Sequence, residues 1–255
     1  MAAFPLMLPG TSRPPKLVVF DLDHTLIACD ATILWTEFLY EKKIVTDPIW
    51  RQYDRDMVKS YAKGVLDIRD FCRKHSGAFR SIPEEKLHAL AQEFAKKKIA
   101  PLIFPDGKKW AKNALQANIP ACVLSASAAF IVKPIAKLFG LTDAMGIELA
   151  FKDGFCTGEI VGIPTFQEGK VERLSERLAE AGIGFEDVLF FTDSRNDLPL
   201  AERAGYTVCV NPDAVLESAA CKNGWKVAEW KLSLRTQMTA QVDAKGVPET
   251  QTVRS

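Results

Sequence analysis

Short continuous runs of apolar residues recur along the chain, with helix-like segments between them. The runs are unbroken rather than alternating with polar residues, which is typical of strands covered on both faces. We expect strands over 17–22, 119–126, 187–193 and 205–211, and helices over 105–118, 129–139, 168–182 and 197–204. This alternation predicts parallel strands joined by helical crossovers. The expected fold class is α/β, a doubly wound parallel sheet, with a hairpin over 147–161 at an Asp-Gly turn.

One long segment, residues 31–100, departs from this alternation. It shows no strand pattern, and four stretches within it space their apolar residues three and four apart, as amphipathic helices do. About seventy residues is too long for a single crossover. We therefore interpret the segment as an all-helical subdomain, here called the cap, inserted over the carboxyl end of the first strand. The alternative is that these helices only cover one face of the sheet.

The chain divides accordingly into four parts. Residues 16–30 and 101–230 form the α/β core, and residues 31–100 form the cap. Residues 1–15 lack the basic and apolar regions of a signal peptide, so we expect a flexible N-terminal extension. Residues 231–255 are polar without a clear period, and we expect a mobile tail with no assigned role.

Composition and charge exclude several classes of function. The 255 residues are 47% hydrophobic and 25% charged, which is ordinary for a soluble globular protein. The formal net charge of +1 gives no sign of a nucleic-acid or membrane partner. No apolar run approaches the roughly 18 residues of a membrane span. The six cysteines are scattered, which favours free thiols in a reducing cytoplasm over disulfides or zinc, and nothing indicates an oligomeric state.

Carboxylates and hydroxyls cluster at the carboxyl ends of three expected strands. They are Asp21 and Asp23 at the first strand, Ser125 and Ser127 at the second, and Asp193, Asn196 and Asp197 at the third. Adjacent parallel strands lie about 5 Å apart, so we expect these groups to converge at one edge of the sheet. Four desolvated carboxylates repel one another unless a cation compensates them. Hard oxygen ligands select Mg²⁺ rather than zinc, and the three histidines show no zinc spacing.

A lysine near the start of the 168–182 helix is a candidate for balancing this negative charge. Gly169–Lys170 is not a Walker A loop, because the earlier glycine and the following Ser or Thr are both missing. Taken alone, Lys170 is typical of a solvated helix position. Its place in the site therefore depends on its being close to the carboxylates, where Mg²⁺ and a lysine together would attract phosphate.

The ordered motifs DLDHT, LSAS, GK and TDSRND resemble those of the haloacid dehalogenase superfamily. The long helical insertion after the first motif is similar to the branch that includes phosphoserine phosphatase, subfamily IB, which has a helical cap. The resemblance covers about residues 17–227. It implies a Mg²⁺-dependent phosphatase that hydrolyses a small phosphorylated metabolite through an aspartyl-phosphate intermediate.

The resemblance also implies a role for each motif residue. Asp21 is the nucleophile, and Asp23 protonates the leaving oxygen and later deprotonates the hydrolytic water. Asp193 binds Mg²⁺ together with the Asp21 side chain and the Asp23 carbonyl, and Asp197 holds metal-bound water. The phosphate-binding group comprises Thr25, which supports the loop, Ser125, the backbone N–H of Ala126, Lys170 and Asn196. The chemistry is coherent, because a carboxylate attacks a phosphate dianion only when cations cancel their repulsion.

The substrate itself is left open by departures from phosphoserine phosphatase. Asp30 stands where that enzyme carries a glutamate for the substrate's amino group, and it is a candidate either for a substrate contact or for the N-cap of the next helix. Ser125–Ala126–Ser127 replaces serine–glycine–glycine, which narrows the space there. A partner for a substrate carboxylate is not singled out among the cap arginines, which are Arg51, Arg55, Arg69 and Arg73. L-phosphoserine and other small phosphoesters, histidinol phosphate among them, stay open.

Cap aromatics such as Tyr61 recur at helical spacing and are typical of a cap core, although one or two are candidates for the pocket mouth.

Three alternatives share parts of the pattern. A non-catalytic receiver-like phospho-acceptor has a similar acidic pocket, but it is much shorter and lacks both a large insertion and the second aspartate. A dehalogenase of the same superfamily also lacks that aspartate and needs no Mg²⁺. A phosphotransferase that passes the phosphoryl group to an alcohol uses the same aspartyl-phosphate, and this alternative stays open.

Overall fold

The computed structural model of the protein describes residues 14–233, so the predicted N-terminal extension and polar tail lie almost wholly outside the described residues. Within that range the strands are β1 (Leu17–Phe20), β2 (Ala121–Ala128), β3 (Asp143–Ile147), β4 (Leu149–Lys152), β5 (Phe155–Ile160), β6 (Val188–Thr192), β7 (Tyr206–Val210) and β8 (Lys226–Ala228). Six of them form one parallel sheet in the order β3-β2-β1-β6-β7-β8. The other two, β4 and β5, pair as an antiparallel hairpin.

Helices connect the strands of the sheet. They are α1 (Ala31–Glu41), α2 (Ile49–Ala62), α3 (Ile68–His75), α4 (Glu84–Phe94), α5 (Pro105–Gln116), α6 (Ala129–Ala136), α7 (Glu168–Ala181), α8 (Leu198–Ala201) and α9 (Ala214–Asn223). Within residues 14–233, no helix combines the length and the apolar character that a membrane crossing requires.

The sheet is buried on both faces. Val18 and Phe20 belong to one hydrophobic cluster, and Leu17 and Val19 belong to another, because successive strand residues point to opposite faces. These four side chains are at most 1% exposed. The α/β fold predicted from the apolar runs is confirmed, and so is the hairpin.

Two strands and one helix were not predicted. β3 contains a glycine, and β8 is a three-residue edge strand with two exposed residues, so neither forms a long apolar run. α9 is weakly amphipathic, although Asp213 caps it by accepting from the backbone N–H groups of Val215 and Leu216. That N-cap was the readable signal for this helix.

The segment between β1 and β2 is helical, as the spacing of its apolar residues predicted, and contains α1 to α5, of which α1 to α4 lie within residues 31–100. Its centre is Trp35, which is fully buried and packs edge-on against Phe94 of α4 and Phe130 of α6. These residues belong to the same hydrophobic cluster as Val18 and Phe20. The helices therefore share a core with the sheet, and the exact limits of the cap as a subdomain stay a prediction.

Gly169 lets the start of α7 approach the chain at Pro164. A Cβ placed on Gly169 would lie 1.9 Å from the carbonyl oxygen of Pro164, which is backbone and has little freedom to move. Because Lys170 is the next residue, this close approach also sets where Lys170 enters the core.

Gly169→Ala is expected to lower the free energy of unfolding by about 1–3 kcal/mol through overpacking, measured by chemical denaturation. Glu172→Ala, at an exposed position of the same helix, is the control and should change stability by no more than about 0.5 kcal/mol. Equal effects of the two substitutions would contradict the close-approach account.

Candidate active site

The central strand β1 lies between β2 and β6, so the residues that follow these strands meet at one edge of the sheet. Thr25 Oγ1 donates to Asp193 Oδ1 at 3.1 Å, which joins the loop after β1 to the end of β6. Ser127 Oγ donates to Asp23 Oδ2 at 2.8 Å, which joins that loop to the end of β2. The structure thus brings together the polar groups that the sequence placed at the three strand ends.

Lys170 is 1% exposed and is therefore not a solvated helix lysine. Its Nζ donates to Asp21 Oδ1 at 2.7 Å and to Asp197 Oδ2 at 2.8 Å. Burial disfavours the ammonium, but the carboxylates of Asp197 and Asp21 outweigh that effect, and the pKa of Lys170 rises above its ordinary value. A permanent cation is therefore held against Asp21 by charge-assisted hydrogen bonds.

One lysine does not neutralise the acids around it. Burial raises the pKa of Asp21, Lys170 lowers it, and the charges of Asp197 and Asp23 raise it again, so that it lies at about 7. Burial also raises the pKa of Asp193 well above its ordinary value, and Asp21 and Asp197 add to that shift. Additional positive charge at this edge would lower both of these pKa values.

Three donors hold the carboxyl group of Asp23. The backbone N–H of Ala31 donates to Oδ1 at 2.7 Å, and the hydroxyls of Ser127 and Ser125 donate to Oδ2 at 2.8 and 3.2 Å. Burial and the charge of Asp30 raise the pKa of Asp23, the hydrogen bonds from Ala31 and Ser127 lower it, and the result is a pKa of about 6. Asp23 therefore takes up a proton more readily than an exposed aspartate, as a general acid must.

The sequence placed Ser127 at this edge as the second serine of LSAS but assigned it no role. Ser125 also accepts from the backbone N–H of Ser127 at 3.0 Å, so the two serines form one small network around Asp23. Thr25 is fully buried. Its hydroxyl contacts Asp193 and does not line the cavity that lies between the core loops and the cap.

Asp197 and Asn196 do not line the cavity that Asp21 borders. Asp197 Oδ2 accepts from Thr192 Oγ1 at 2.7 Å as well as from Lys170. The Asn196 amide group donates to the Tyr61 carbonyl at 3.0 Å, which is a contact to the cap. In this structure Asn196 therefore joins the core to the cap.

Gln167 makes a second contact of this kind. Its Nε2 donates to the carbonyl of Gly64 at 3.2 Å and to Asn196 Oδ1 at 3.1 Å. We call the side chains of Gln167 and Asn196, with the Tyr61 and Gly64 carbonyls, the latch. Gln167 has φ +49° and ψ −123°, a conformation that residues other than glycine rarely adopt. No motif marked Gln167, because its importance comes from backbone strain and from partners about 100 residues away.

Tyr61 brings the cap close to the acids of the core. It lines the same cavity as Asp21 and Asp193, and its ring packs against Phe166 at 5.8 Å. Burial raises the pKa of Tyr61 well above its ordinary value, and the charges of Asp197, Asp21 and Asp193 raise it further. The hydroxyl is therefore neutral and within electrostatic range of those carboxylates.

A cavity of about 390 Å³ opens between the core loops and the cap. Its core side includes Asp21, Asp23, Ala126, Ser127 and Asp193. A cavity of this size fits a small molecule, and the cap restricts access by anything larger.

The candidate substrate-binding residues differ in whether they line the cavity. Asp30 lines the cavity, and its Oδ1 also accepts from the backbone N–H of Ile33 at 3.0 Å, so it is the N-cap of α1. Both interpretations of Asp30 are therefore compatible. None of the four cap arginines lines the cavity.

The residues present suit a magnesium ion. Within residues 14–233, no group of three or more Asp, Glu, His or Cys side chains forms a ready-made metal cage. Mg²⁺ is usually bound by one or two carboxylates, with water and substrate phosphate completing its octahedron, so a cage is not required. The donors are oxygens. Lys170 supplies one positive charge, which does not offset the carboxylates around Asp21 and Asp193. The donor set and its charge fit a divalent hard cation.

Comparison with known proteins identifies a matching family and several similar proteins. Residues 18–202 match the family model described as haloacid dehalogenase-like hydrolase. The chain is 35% identical over 220 residues to a histidinol-phosphatase of Neisseria meningitidis serogroup C, covering 85% of this chain and 99% of that protein. A solved structure from Bordetella pertussis, of unknown function, is 31% identical with a TM-score of 0.75, over 83% of this chain and 96% of that one. A phospho-aspartyl intermediate analogue of phosphoserine phosphatase shares the fold, at 21% identity and a TM-score of 0.63, over 89% of this chain and 99% of that one.

The matched range contains all four motifs and both sides of the cavity. The motif order, the helical segment after β1 and these relatives lead to one conclusion. The chain belongs to the haloacid dehalogenase-like hydrolase family, in the branch that resembles phosphoserine phosphatase.

Proposed function

We propose that this phosphatase hydrolyses a small phosphorylated metabolite through an aspartyl-phosphate on Asp21, with Mg²⁺ as cofactor. The observation that carries the proposal is the buried contact of Lys170 Nζ with Asp21 Oδ1 at 2.7 Å, beside a cavity that Asp21 and Asp23 both line. A fixed cation at this point offsets the repulsion between a carboxylate and a phosphate dianion. The relative named histidinol-phosphatase, at 35% identity, supports the same substrate class.

The first step forms the intermediate. A carboxylate oxygen of Asp21 attacks phosphorus, and the bond between phosphorus and the leaving oxygen breaks. Asp23 gives its proton to that oxygen, which leaves as an alcohol. Ser125 and the backbone N–H of Ala126 bind phosphoryl oxygens, and Lys170 stabilises the charge that develops on them.

The second step releases phosphate. Asp23, now a carboxylate, takes a proton from a water molecule as the water attacks the phosphorus of the aspartyl-phosphate. The bond between Asp21 and phosphorus breaks, which restores the Asp21 carboxylate and yields inorganic phosphate. The Ser127 hydroxyl and the Ala31 N–H keep Asp23 in position for both proton transfers, while the Ser125 hydroxyl turns from Asp23 to the phosphoryl group.

Mg²⁺ would be held by Asp21, Asp193 and the backbone carbonyl of Asp23, with Asp197 binding its water. When bound, the metal neutralises charge on the carboxylates and the phosphoryl oxygens. Thr25 keeps Asp193 oriented toward this position by its hydrogen bond to Oδ1.

Asp21→Asn is expected to reduce kcat for p-nitrophenyl phosphate with Mg²⁺ by about a thousandfold or more, because an amide does not form the acyl-phosphate. Asp153→Asn is the matched control, since Asp153 is exposed and has a positive φ that asparagine tolerates. The control should keep its activity. Circular dichroism checks that both variants fold, and a folded Asp21→Asn protein that keeps its turnover would falsify the nucleophile assignment.

Removal of divalent metal with EDTA is expected to abolish turnover, and Mg²⁺ should restore it. Ca²⁺ should be a poor substitute, because its looser coordination disturbs the in-line geometry. Asp193→Ala should raise the Mg²⁺ concentration for half-maximal activity more than Asp197→Ala does. Turnover supported by zinc alone would show that the oxygen-ligand argument is wrong.

The latch is expected to keep the cap closed over the site. Gln167→Gly should relieve the backbone strain and remove the contact with Gly64, so hydrogen exchange over residues 61–66 should accelerate while the denaturation midpoint falls little. KM for p-nitrophenyl phosphate should rise.

The wild-type protein should leave a folded phosphoprotein untouched, because such a substrate does not fit below the cap. Unchanged exchange in the Gln167→Gly protein, or efficient turnover of a folded phosphoprotein, would contradict closure.

A further inference from the structure

This inference rests on the proposed function and concerns Asp213, which is outside the four motifs and does not line the cavity. We propose that Asp213 is a positioning residue, which holds the loop after β6 so that Asp193 lies where Mg²⁺ requires it. That loop comprises residues 193–197 and is here called the β6 loop. The evidence is the set of hydrogen bonds that Asp213 makes with the backbone of this loop and with helix α9.

The topology of the sheet brings Asp213 close to the β6 loop. β7 is the neighbour of β6 in the sheet, and Thr192 at the end of β6 pairs with Cys209 near the end of β7. Asp213 follows β7 as the β6 loop follows β6. Both segments therefore lie at the carboxyl edge of the sheet, where the acids of the site meet.

Asp213 contacts the β6 loop both as a donor and as an acceptor. Its backbone N–H donates to the carbonyl oxygen of Asp193 at 2.9 Å. Its Oδ2 accepts from the backbone N–H of Arg195 at 2.6 Å. A carboxylate acceptor makes the second bond charge-assisted, which strengthens it. The chain is therefore held on both sides of Ser194, and one of the two bonds is at the residue whose side chain would bind the metal.

The other carboxylate oxygen of Asp213 joins the β6 loop to a helix. Oδ1 accepts from the backbone N–H groups of Val215 and Leu216 at 2.9 and 2.8 Å, and so forms the N-cap of α9. Leu216 is fully buried in a cluster with Cys209 of β7. The β6 loop is therefore held against an element that is itself fixed by packing, as a precise ligand position requires.

Hydrogen bonds inside the β6 loop extend this constraint to the other motif residues. The backbone N–H of Asp197 donates to the Ser194 carbonyl at 3.0 Å, and Ser194 Oγ accepts from the N–H of Asn196 at 3.2 Å. Thr192 Oγ1 accepts from the Ser194 N–H at 3.2 Å. These bonds join near neighbours in the chain, so they fix the shape of the loop. Asp213 fixes its position on the sheet.

The position of the loop backbone matters because Mg²⁺ demands near-ideal octahedral geometry, with oxygens about 2.0–2.1 Å from the ion. Thr25 restrains the Asp193 carboxylate through one hydrogen bond to Oδ1, but this bond does not hold the backbone from which the side chain extends. Loss of a residue that orients a metal ligand typically costs about 10–100-fold in metal affinity or activity. A displaced β6 loop would therefore weaken Mg²⁺ binding.

Asp213→Asn separates the two roles of this carboxylate. The amide oxygen still caps α9, but the NH₂ group meets the N–H of Arg195, donor against donor. Asp67→Asn is the matched control, because Asp67 is the N-cap of α3 and accepts from the N–H groups of Arg69 and Asp70 at 3.1 and 3.0 Å. Each substitution removes one negative charge at an N-cap, and only the first removes a contact with the β6 loop.

Two measurements that need no turnover test the proposal. Without metal, amide hydrogen exchange over residues 193–197 should accelerate at least about tenfold in Asp213→Asn, and Asp67→Asn should match the wild-type protein there. Calorimetry should show Mg²⁺ bound about tenfold more weakly by Asp213→Asn, and less than about twofold more weakly by Asp67→Asn. The difference should persist in about 0.5 M NaCl, where a long-range charge effect is screened.

The kinetic signature follows from the same geometry. In Asp213→Asn, the Mg²⁺ concentration for half-maximal turnover of p-nitrophenyl phosphate should rise about tenfold. KM for this ester at saturating Mg²⁺ should change less than about twofold, because Asp213 does not line the cavity. If circular dichroism shows that Asp213→Asn does not fold, Asp213→Ser takes its place. The single oxygen of serine caps α9, and the same changes in exchange and Mg²⁺ affinity are expected.

Equal Mg²⁺ affinity in the Asp213 and Asp67 variants, a difference that disappears in salt, or unchanged exchange of the β6 loop would overturn the proposal. If the wild-type protein hydrolyses p-nitrophenyl phosphate while any of these results is found, only the positioning proposal fails. If no phosphate monoester is hydrolysed, the proposed function fails, and exchange and calorimetry still decide the role of Asp213. A wild-type protein that binds no Mg²⁺ would overturn the positioning proposal whatever its turnover.

Discussion

The buried contacts of Lys170 with Asp21 and Asp197 are the interactions on which the rest of the site depends. Two strands, β1 and β6, deliver carboxylates to one desolvated edge, and the repulsion between these carboxylates would be severe without a cation among them. The structure supplies one cation from within, because α7 starts close against Pro164 and carries Lys170 into the core. Burial raises the pKa values of Asp21 and Asp193, and the neighbouring carboxylates raise them further. The excess of carboxylates over the single lysine suits this edge to Mg²⁺.

The cap is coupled to this edge by polar and aromatic contacts. Gln167 and Asn196 bond to carbonyls at the end of α2, and Tyr61 of that helix lies within electrostatic range of the carboxylates. Asp30 also serves both the cap and the cavity, since it is the N-cap of α1 and lines the cavity. The elements that hold the cap in place are thus the elements that border the substrate space, which links cap closure to substrate choice.

The sequence was informative where local pattern and chemistry coincide. Unbroken apolar runs predicted the central strands, and acids directly after them located the edge where Asp21, Asp23 and Asp193 meet. Lys170 was a candidate only through its expected neighbours, and its burial is the physical fact that the sequence did not contain. Ser127 was visible in its motif, and Tyr61 was one of several cap aromatics considered for the pocket mouth. Gln167 was not visible, because its role arises from backbone strain and from contacts between distant segments. The edge strands β3 and β8 were missed because neither forms a continuous apolar run.

The central claim is that the phosphoryl group passes through Asp21. The most direct measurement is rapid acid quenching of the Mg²⁺-loaded protein during turnover of p-nitrophenyl phosphate, followed by mass spectrometry of the peptide that contains Asp21. Acid slows hydrolysis of an acyl-phosphate enough for it to be detected. The account predicts a phosphoryl group on Asp21 that is absent from the Asp21→Asn protein. A phosphoryl group on another residue, or turnover at full rate with none bound to the protein at any quench time, would contradict it.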